Sequence, residues 1–279
     1  MARIRLTQLF PFLIPLRQCQ RRLFFYLAMR FDKNKYAKSR EAFFPYTLTE
    51  STMPLINKES GQDIQYQYNK VHNLRLSSAA VDKTVIRPGE TFSFWQLVRH
   101  AEKQEKYKDG LVLVDGRIQA SAGGGLCQLS DLLFWLFLHT PLTITERHPH
   151  GVKAFPTPDV PPGTDATVYE GWKDLKVRND TNDELQVQIT LDEEYIYGFI
   201  RVKEEPLFRY EVLTRDLHYY REEEQNWEQV SVYRQKYSRI NGDLVSDIRL
   251  YENKTLVTYD LSGEIAADSG KPPEKEDIG

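Results

Sequence analysis

One stretch, residues 128–139, constrains the fold more than any other. Leu129, Leu132, Leu133, Phe134, Trp135, Leu136, Phe137 and Leu138 leave it almost without a polar face. A helix that is apolar nearly all round must be covered on most sides. Directly before it stands Ser121-Ala122-Gly123-Gly124-Gly125-Leu126-Cys127-Gln128. Before that, two short apolar-rich runs at 111–114 and 117–120 flank Asp115-Gly116, a pair that tolerates the positive φ angles of a type I′ hairpin turn. The expected sequence of events is a hairpin, a glycine turn and a buried helix.

After Pro141 the pattern turns to β. Residues 142–147, 166–170 and 175–178 read as strands, residues 185–191 alternate strictly, and 195–202 closes the region. Beyond Pro206, strands are expected at 208–213, 230–237 and 244–251, with Asn241-Gly242 as a turn. Upstream, helices are expected at 17–29, 69–80 and 96–107, with a short strand at 91–94. The expectation is an α+β fold: the glycine turn and buried helix packed on a mostly antiparallel sheet, with an additional C-terminal β module. The implied division is a basic N-terminal helical arm at 1–42, a core domain at 43–203, a small β module at 204–262 and a disordered tail at 263–279, the last rich in Gly, Pro and charge.

Charge distribution separates the arm from the rest. The chain carries a net charge of −3, which disfavours a nucleic-acid partner. Yet residues 1–30 hold Arg3, Arg5, Arg17, Arg21, Arg22 and Arg30 and no acid. Such an arm is read first as an amphipathic packing element, with peripheral contact to an anionic membrane through residues 1–30 as the alternative. The apolar run from Leu9 to Leu16 is too short to span a bilayer and is broken by Pro11 and Pro15. No clear signal peptide or transmembrane helix is read, so the expected location is cytoplasmic or peripheral at the inner membrane face. Cys19 and Cys127 are the two cysteines, which excludes a disulfide framework.

Cys127 is the candidate for chemistry. A thiol at a helix N-terminus is favoured as thiolate, and open N–H groups of the first turn and of Gly123, Gly124 and Gly125 can receive an oxyanion. The glycines and Gln128 are candidates for lining the path of a substrate. His148 and His150 lie two apart in an extended segment, so both are expected on one side of it as candidate bases. Asp165 can orient an imidazole, which gives a Cys–His–Asp arrangement. Arg147 is a candidate for a substrate carboxylate. Against these stand plainer roles: a small core cysteine, structural histidines, and Asp165 as a turn residue. A zinc site of Cys127, His148 and His150 is a further alternative, but no familiar zinc spacing is present, and no cofactor is expected.

Four ordered motifs carry a resemblance: Arg87-Pro88-Gly89-Glu90-Thr91-Phe92-Ser93-Phe94, Gly123-Gly124-Gly125-Leu126-Cys127-Gln128, Glu146-Arg147-His148-Pro149-His150 and Gly163-Thr164-Asp165-Ala166-Thr167-Val168. They resemble the motifs of the VanW family, and the likeness to its members in B-type vancomycin-resistance clusters runs to about residue 260. The sequence departs from many members at Gly151, where they carry Ser. The resemblance implies a glycopeptide-resistance role. It also implies a cysteine-dependent, L,D-transpeptidase-like acyl transfer on peptidoglycan stem peptides, with Cys127 as nucleophile and His148 and His150 beside it. The alternative it leaves open is a non-enzymatic accessory protein that binds a peptidoglycan precursor or a resistance-cluster partner.

Overall fold

The computed structural model describes residues 10–56, 63–114, 117–153 and 160–261. In chain order the first elements are α1 (Ile14–Phe31), β1 (Lys35–Tyr36), β2 (Tyr46–Pro54), α2 (Ile64–Val81), β3 (Val85–Ile86), β4 (Glu90–Ser93) and α3 (Phe94–Val98). The hairpin β5 (Asp109–Val114) and β6 (Arg117–Ala122) leads into α4 (Leu126–Leu138). Then come β7 (Thr143–Glu146), β8 (Val152–Lys153), β9 (Lys176–Arg178), β10 (Leu185–Leu191), β11 (Tyr195–Val202) and three long strands, β12 (Phe208–Glu222), β13 (Gln225–Ser238) and β14 (Leu244–Val257). The fold is α+β, with mostly antiparallel pairing.

Helix α4 is the apolar run, and it sits at the centre. Leu129, Leu132, Leu133, Phe134, Leu136, Phe137 and Leu138 are all fully buried. The helix packs on β2 and β11, with α2 alongside. The sheet beneath it runs β2-β11-β10-β3, antiparallel throughout. Alternation in β10 and β11 turns Leu185, Val187, Ile189, Ile196 and Ile200 into this core, as period-two patterning requires. Gly198 in β11 lets the helix come close: a Cβ there would meet Leu136 Cδ1 at 2.6 Å.

A second sheet, β1-β4-β9-β7, pairs antiparallel except for the parallel β1–β4 contact. It covers another side of α4, where Phe92 stacks edge-on against Phe137 at 4.9 Å. The third sheet, β12-β13-β14-β8, contains the expected C-terminal β module, but β12, β13 and β14 are 14 or 15 residues long, well beyond the segments read from sequence. It is tied to the core by Arg234, which donates to the carbonyls of Thr140 and Leu142, and by β8, which pairs parallel with β14.

Two expected elements are corrected. The helix read at 96–107 ends at Val98. The charged residues that follow have no apolar face to bury, and the chain leaves the helix to reach α2, where His72 Nε2 meets the Lys106 carbonyl at 3.0 Å and Asn73 Oδ1 accepts from Lys108 N at 2.8 Å. The strand read at 166–170 does not form. Its backbone is taken by side chains: Ala166 N donates to Asp131 Oδ1 at 2.7 Å, and Ala166 O accepts from Ser130 Oγ at 2.5 Å. The Asp115-Gly116 turn, Arg3, Arg5 and the tail at 263–279 lie outside the described residues.

Candidate functional site

The glycine turn is locked in place before it reaches Cys127. Buried Asn73 in α2 donates through Nδ2 to the carbonyls of Lys108 (2.8 Å) and Gly124 (3.0 Å). Gly124 lies against Gly110 so tightly that an added Cβ would fall 2.1 Å from the Gly110 carbonyl carbon. Gly125 caps α4 at φ +98°, a left-handed conformation that glycine adopts without steric cost. The methylene stem of Lys70 lies across Gly125, where a Cβ would meet Lys70 Cγ at 2.1 Å. Burial pushes the Lys70 ammonium down to about 8.

The turn spends some of the amides expected to be open. Gly123 N donates to the Lys108 carbonyl at 3.2 Å and Gly124 N to the Ser121 carbonyl at 3.0 Å. The amide donors left to a helix start are those of its own first turn, at Leu126 and Cys127.

Cys127 is partly exposed. Its Sγ lies 3.3 Å from Thr167 Oγ1 and 3.9 Å from the Val168 carbonyl oxygen, and its side chain is near enough to His150 to help raise that imidazole's pKa. His150 Nδ1 pairs with Asp165 Oδ2 at 2.8 Å, and the His150 backbone N–H donates to the same oxygen at 2.6 Å. Burial alone would disfavour the charged ring. The Asp165 hydrogen bond, the Cys127 contact and the charges of Asp131 and Asp165 outweigh it and raise His150 to about 10. Asp165 moves the other way: burial opposes its ionisation, but His150 and the Arg147 guanidinium hold it down to about 2.

Arg147 completes this chain of contacts from behind. Its Nη2 meets Asp165 Oδ1 at 2.8 Å and the Gly163 carbonyl at 3.0 Å, Nε donates to the Asp165 carbonyl at 2.7 Å, and Nη1 donates to Asn253 Oδ1 at 2.6 Å. The guanidinium stacks over Phe134 and Tyr251, and the side chain is 8% exposed. These contacts hold it inward, away from the role of receiving a substrate carboxylate.

The two histidines part company. His148 Nε2 pairs with Glu146 Oε1 at 3.1 Å, and Glu146 Oε2 takes Lys176 Nζ at 2.8 Å. Only the His148 carbonyl reaches the site's loop, accepting from Thr167 N at 2.8 Å. Gln128 points its amide at the Pro54 carbonyl, 2.7 Å away. Among the described residues, no three His, Cys, Asp or Glu side chains gather into a metal-holding group, so the zinc alternative finds no matching geometry.

Asp131 is the residue the sequence reading missed. It stands one helical turn after Cys127, and i, i+4 positions share a face. Burial raises its carboxyl to about 7, against the pull of His150, the Ala166 amide and Arg147, with Asp165 adding to the rise. The signal was present as the lone acid inside the apolar run.

Comparison with known proteins decides the family. The profile described as VanW like protein matches residues 69–201, which contain Cys127, Asp131, His150 and Asp165. Over 264 residues the chain is 47% identical to the vancomycin B-type resistance protein VanW of Enterococcus faecalis, covering 94% of this chain and 96% of that protein. The chain belongs to the VanW family. The uncharacterized protein YoaR of Bacillus subtilis is 33% identical over 149 residues, 52% of this chain and 48% of that protein. No solved structure matches. The VanW profile stops before β12, yet β14 supplies Asn253 and Tyr251 to the Arg147 end of the site.

Proposed function

We propose that this VanW-family chain contributes to vancomycin resistance as a cysteine-dependent acyl-transfer enzyme on peptidoglycan stem peptides, in the manner of an L,D-transpeptidase. The observation that carries this reading is the connected series Cys127, His150, Asp165, Arg147 at the start of a buried helix. The name of the Enterococcus relative supports the resistance role.

In this mechanism deprotonated Cys127 attacks the carbonyl of an L-centre–D-centre peptide bond, and an S–C bond forms. The Leu126 and Cys127 amides receive the oxyanion. The C–N bond then breaks, and the departing D-alanine amine takes its proton from His150. An amine of a second stem attacks the thioester, returns a proton to His150 and releases Cys127. A His150 that holds its proton to about pH 10 suits the donor role at neutral pH. Asp165 fixes the ring through Nδ1, and Arg147 fixes Asp165.

The test is release of D-alanine from a stem tetrapeptide, with intact mass to detect an acyl adduct on Cys127. The wild type is expected to release D-alanine and carry the adduct; Cys127→Ala should do neither while keeping its thermal transition. A wild type that releases nothing and forms no adduct, with acceptor amine present, overturns the reading.

One observation favours the competing reading, a non-enzymatic accessory protein that binds a peptidoglycan precursor or a resistance-cluster partner. The approach of Cys127 Sγ to the Val168 carbonyl suits a protonated thiol acting as donor. In that case Cys127 alkylates no faster than a free thiol.

A further inference from the structure

Helix α1 has two apolar faces, and the fold uses one. Met29 is buried, and Phe25 and Tyr26 pack against the core. Tyr26 Oη donates to Glu170 Oε1 at 2.8 Å, Arg22 Nε pairs with Glu170 Oε2 at 2.9 Å, and Arg21 lies over the Trp172 ring at 5.1 Å. These contacts account for the packing role. At about 100° per residue, Leu16, Leu23 and Leu27 form a stripe on the opposite side, and Phe24 and Phe31 widen it. Their exposure runs from 40% at Leu27 to 80% at Phe31.

The charge around this stripe is of one sign. Residues 10–31 contain Arg17, Arg21, Arg22 and Arg30 and no Asp or Glu. By the same helical spacing Arg30 borders the stripe on one edge and Arg17 on the other. That arrangement lets long cationic side chains reach headgroups while leucine and phenylalanine enter the acyl boundary. Tyr169 and Trp172, 48% and 58% exposed beside the helix, add the amphipathic aromatics that favour a membrane interface. None of the described helices is long and apolar enough to cross a membrane, so the fit is to an in-plane helix. A second copy of this face is a poor occupant, because it would bring two uncompensated rows of arginine together.

We infer that the outer face of α1 docks the protein on an anionic phospholipid surface, with Leu16, Leu23, Leu27, Phe24 and Phe31 entering the interface and Arg17 and Arg30 at its edges. This inference is independent of any chemistry at Cys127.

The experiment is co-sedimentation of the full chain with vesicles of pure phosphatidylcholine and of phosphatidylcholine with phosphatidylglycerol. Binding is expected only to the anionic vesicles and should weaken with salt. Leu16→Ser, Leu23→Ser and Leu27→Ser should each weaken it by about tenfold or more, and Arg17→Gln and Arg30→Gln by about fivefold each. All five positions are off the packed face, so the thermal transition should hold. As a second readout, a polarity-sensitive fluorophore on exposed Cys19, in a Cys127→Ala background, should shift to the blue on anionic vesicles. Failure to bind phosphatidylglycerol vesicles overturns the inference. So does a dimer in solution that Leu23→Ser converts to monomer, since a second copy would then cover the face.

Discussion

One oxygen of Asp165 serves His150 twice: Oδ2 accepts the ring Nδ1–H at 2.8 Å and the backbone N–H of the same residue at 2.6 Å. One carboxylate oxygen therefore fixes both the ring, through Nδ1, and the main chain that carries it. With the other oxygen on Arg147, Asp165 sits between two cations.

Asp165→Asn should be the most costly single change at the site. His150 is raised above its ordinary 6.5 to about 10, so its share of stability is full below 6.5 and is lost as pH climbs toward 10. Asp165 is depressed below its ordinary 3.8 to about 2, so its share is full above 3.8 and is lost as pH falls toward 2. The deficit of Asp165→Asn should thus be greatest between about pH 4 and 6.5, on the order of 3 kcal/mol for breaking a buried pair. Denaturant unfolding across pH measures it; a deficit independent of pH would mean the pair is not ionised.

Asp131→Asn tests the opposite sign. A carboxyl raised from 3.8 to about 7 contributes stability below 3.8 that is lost as pH rises through 7. The variant keeps an oxygen for the Ala166 amide but cannot ionise. It should become more stable than the wild type above pH 7, by up to about 4 kcal/mol for a shift of that size. It should also lower the pH at which His150 gives up its proton, measurable by NMR of the imidazole.

His148 and His150 should separate cleanly in thiol chemistry. His150→Ala removes the imidazole that interacts with Cys127 and should change the pH profile of Cys127 alkylation in a Cys19→Ser background. His148 spends its ring on Glu146, so His148→Ala should leave that profile within about twofold. Equal effects of the two variants would place both rings at the thiol.

The contrast shows what a sequence conveys and what it withholds. Residues 148 and 150 share a side in an extended chain, yet the ring of one is claimed by Glu146 within the same segment and that of the other by Asp165, fifteen residues on. Spacing cannot foresee that competition. Helix α4 was legible because seven apolar side chains in a row, Leu132 to Leu138, allow little else, and Cys127 because it stands where three glycines meet the start of that helix. The segment at 166–170 misled because its composition suits a strand; Ser130 and Asp131 then took the backbone groups a ladder would need. Asn73 was invisible, a polar residue in a helix whose three hydrogen bonds all go to chain 35 to 51 residues away.

That residue supports the last prediction. Asn73 is fully buried and makes a pair of reciprocal bonds with Lys108 and a third to Gly124. Asn73→Ala would strand the Lys108 amide and the Gly124 carbonyl, each costing about 1–3 kcal/mol if left dry, while the Lys108 carbonyl keeps its bond from Gly123 N, so a loss of roughly 2–4 kcal/mol is expected. Gly124→Ala should reach a similar loss by a different route, since the clash is with Gly110 backbone rather than a yielding side chain. Both release the turn that sets the start of α4. Each should therefore depress Cys127 chemistry by more than its stability loss explains, measured as alkylation rate at a temperature where the variant is fully folded. A comparable core change far from the turn, Leu185→Ala in β10, should lower stability by about 2–5 kcal/mol and leave that rate unchanged. If all three variants slow the thiol alike, the turn has no special hold on Cys127.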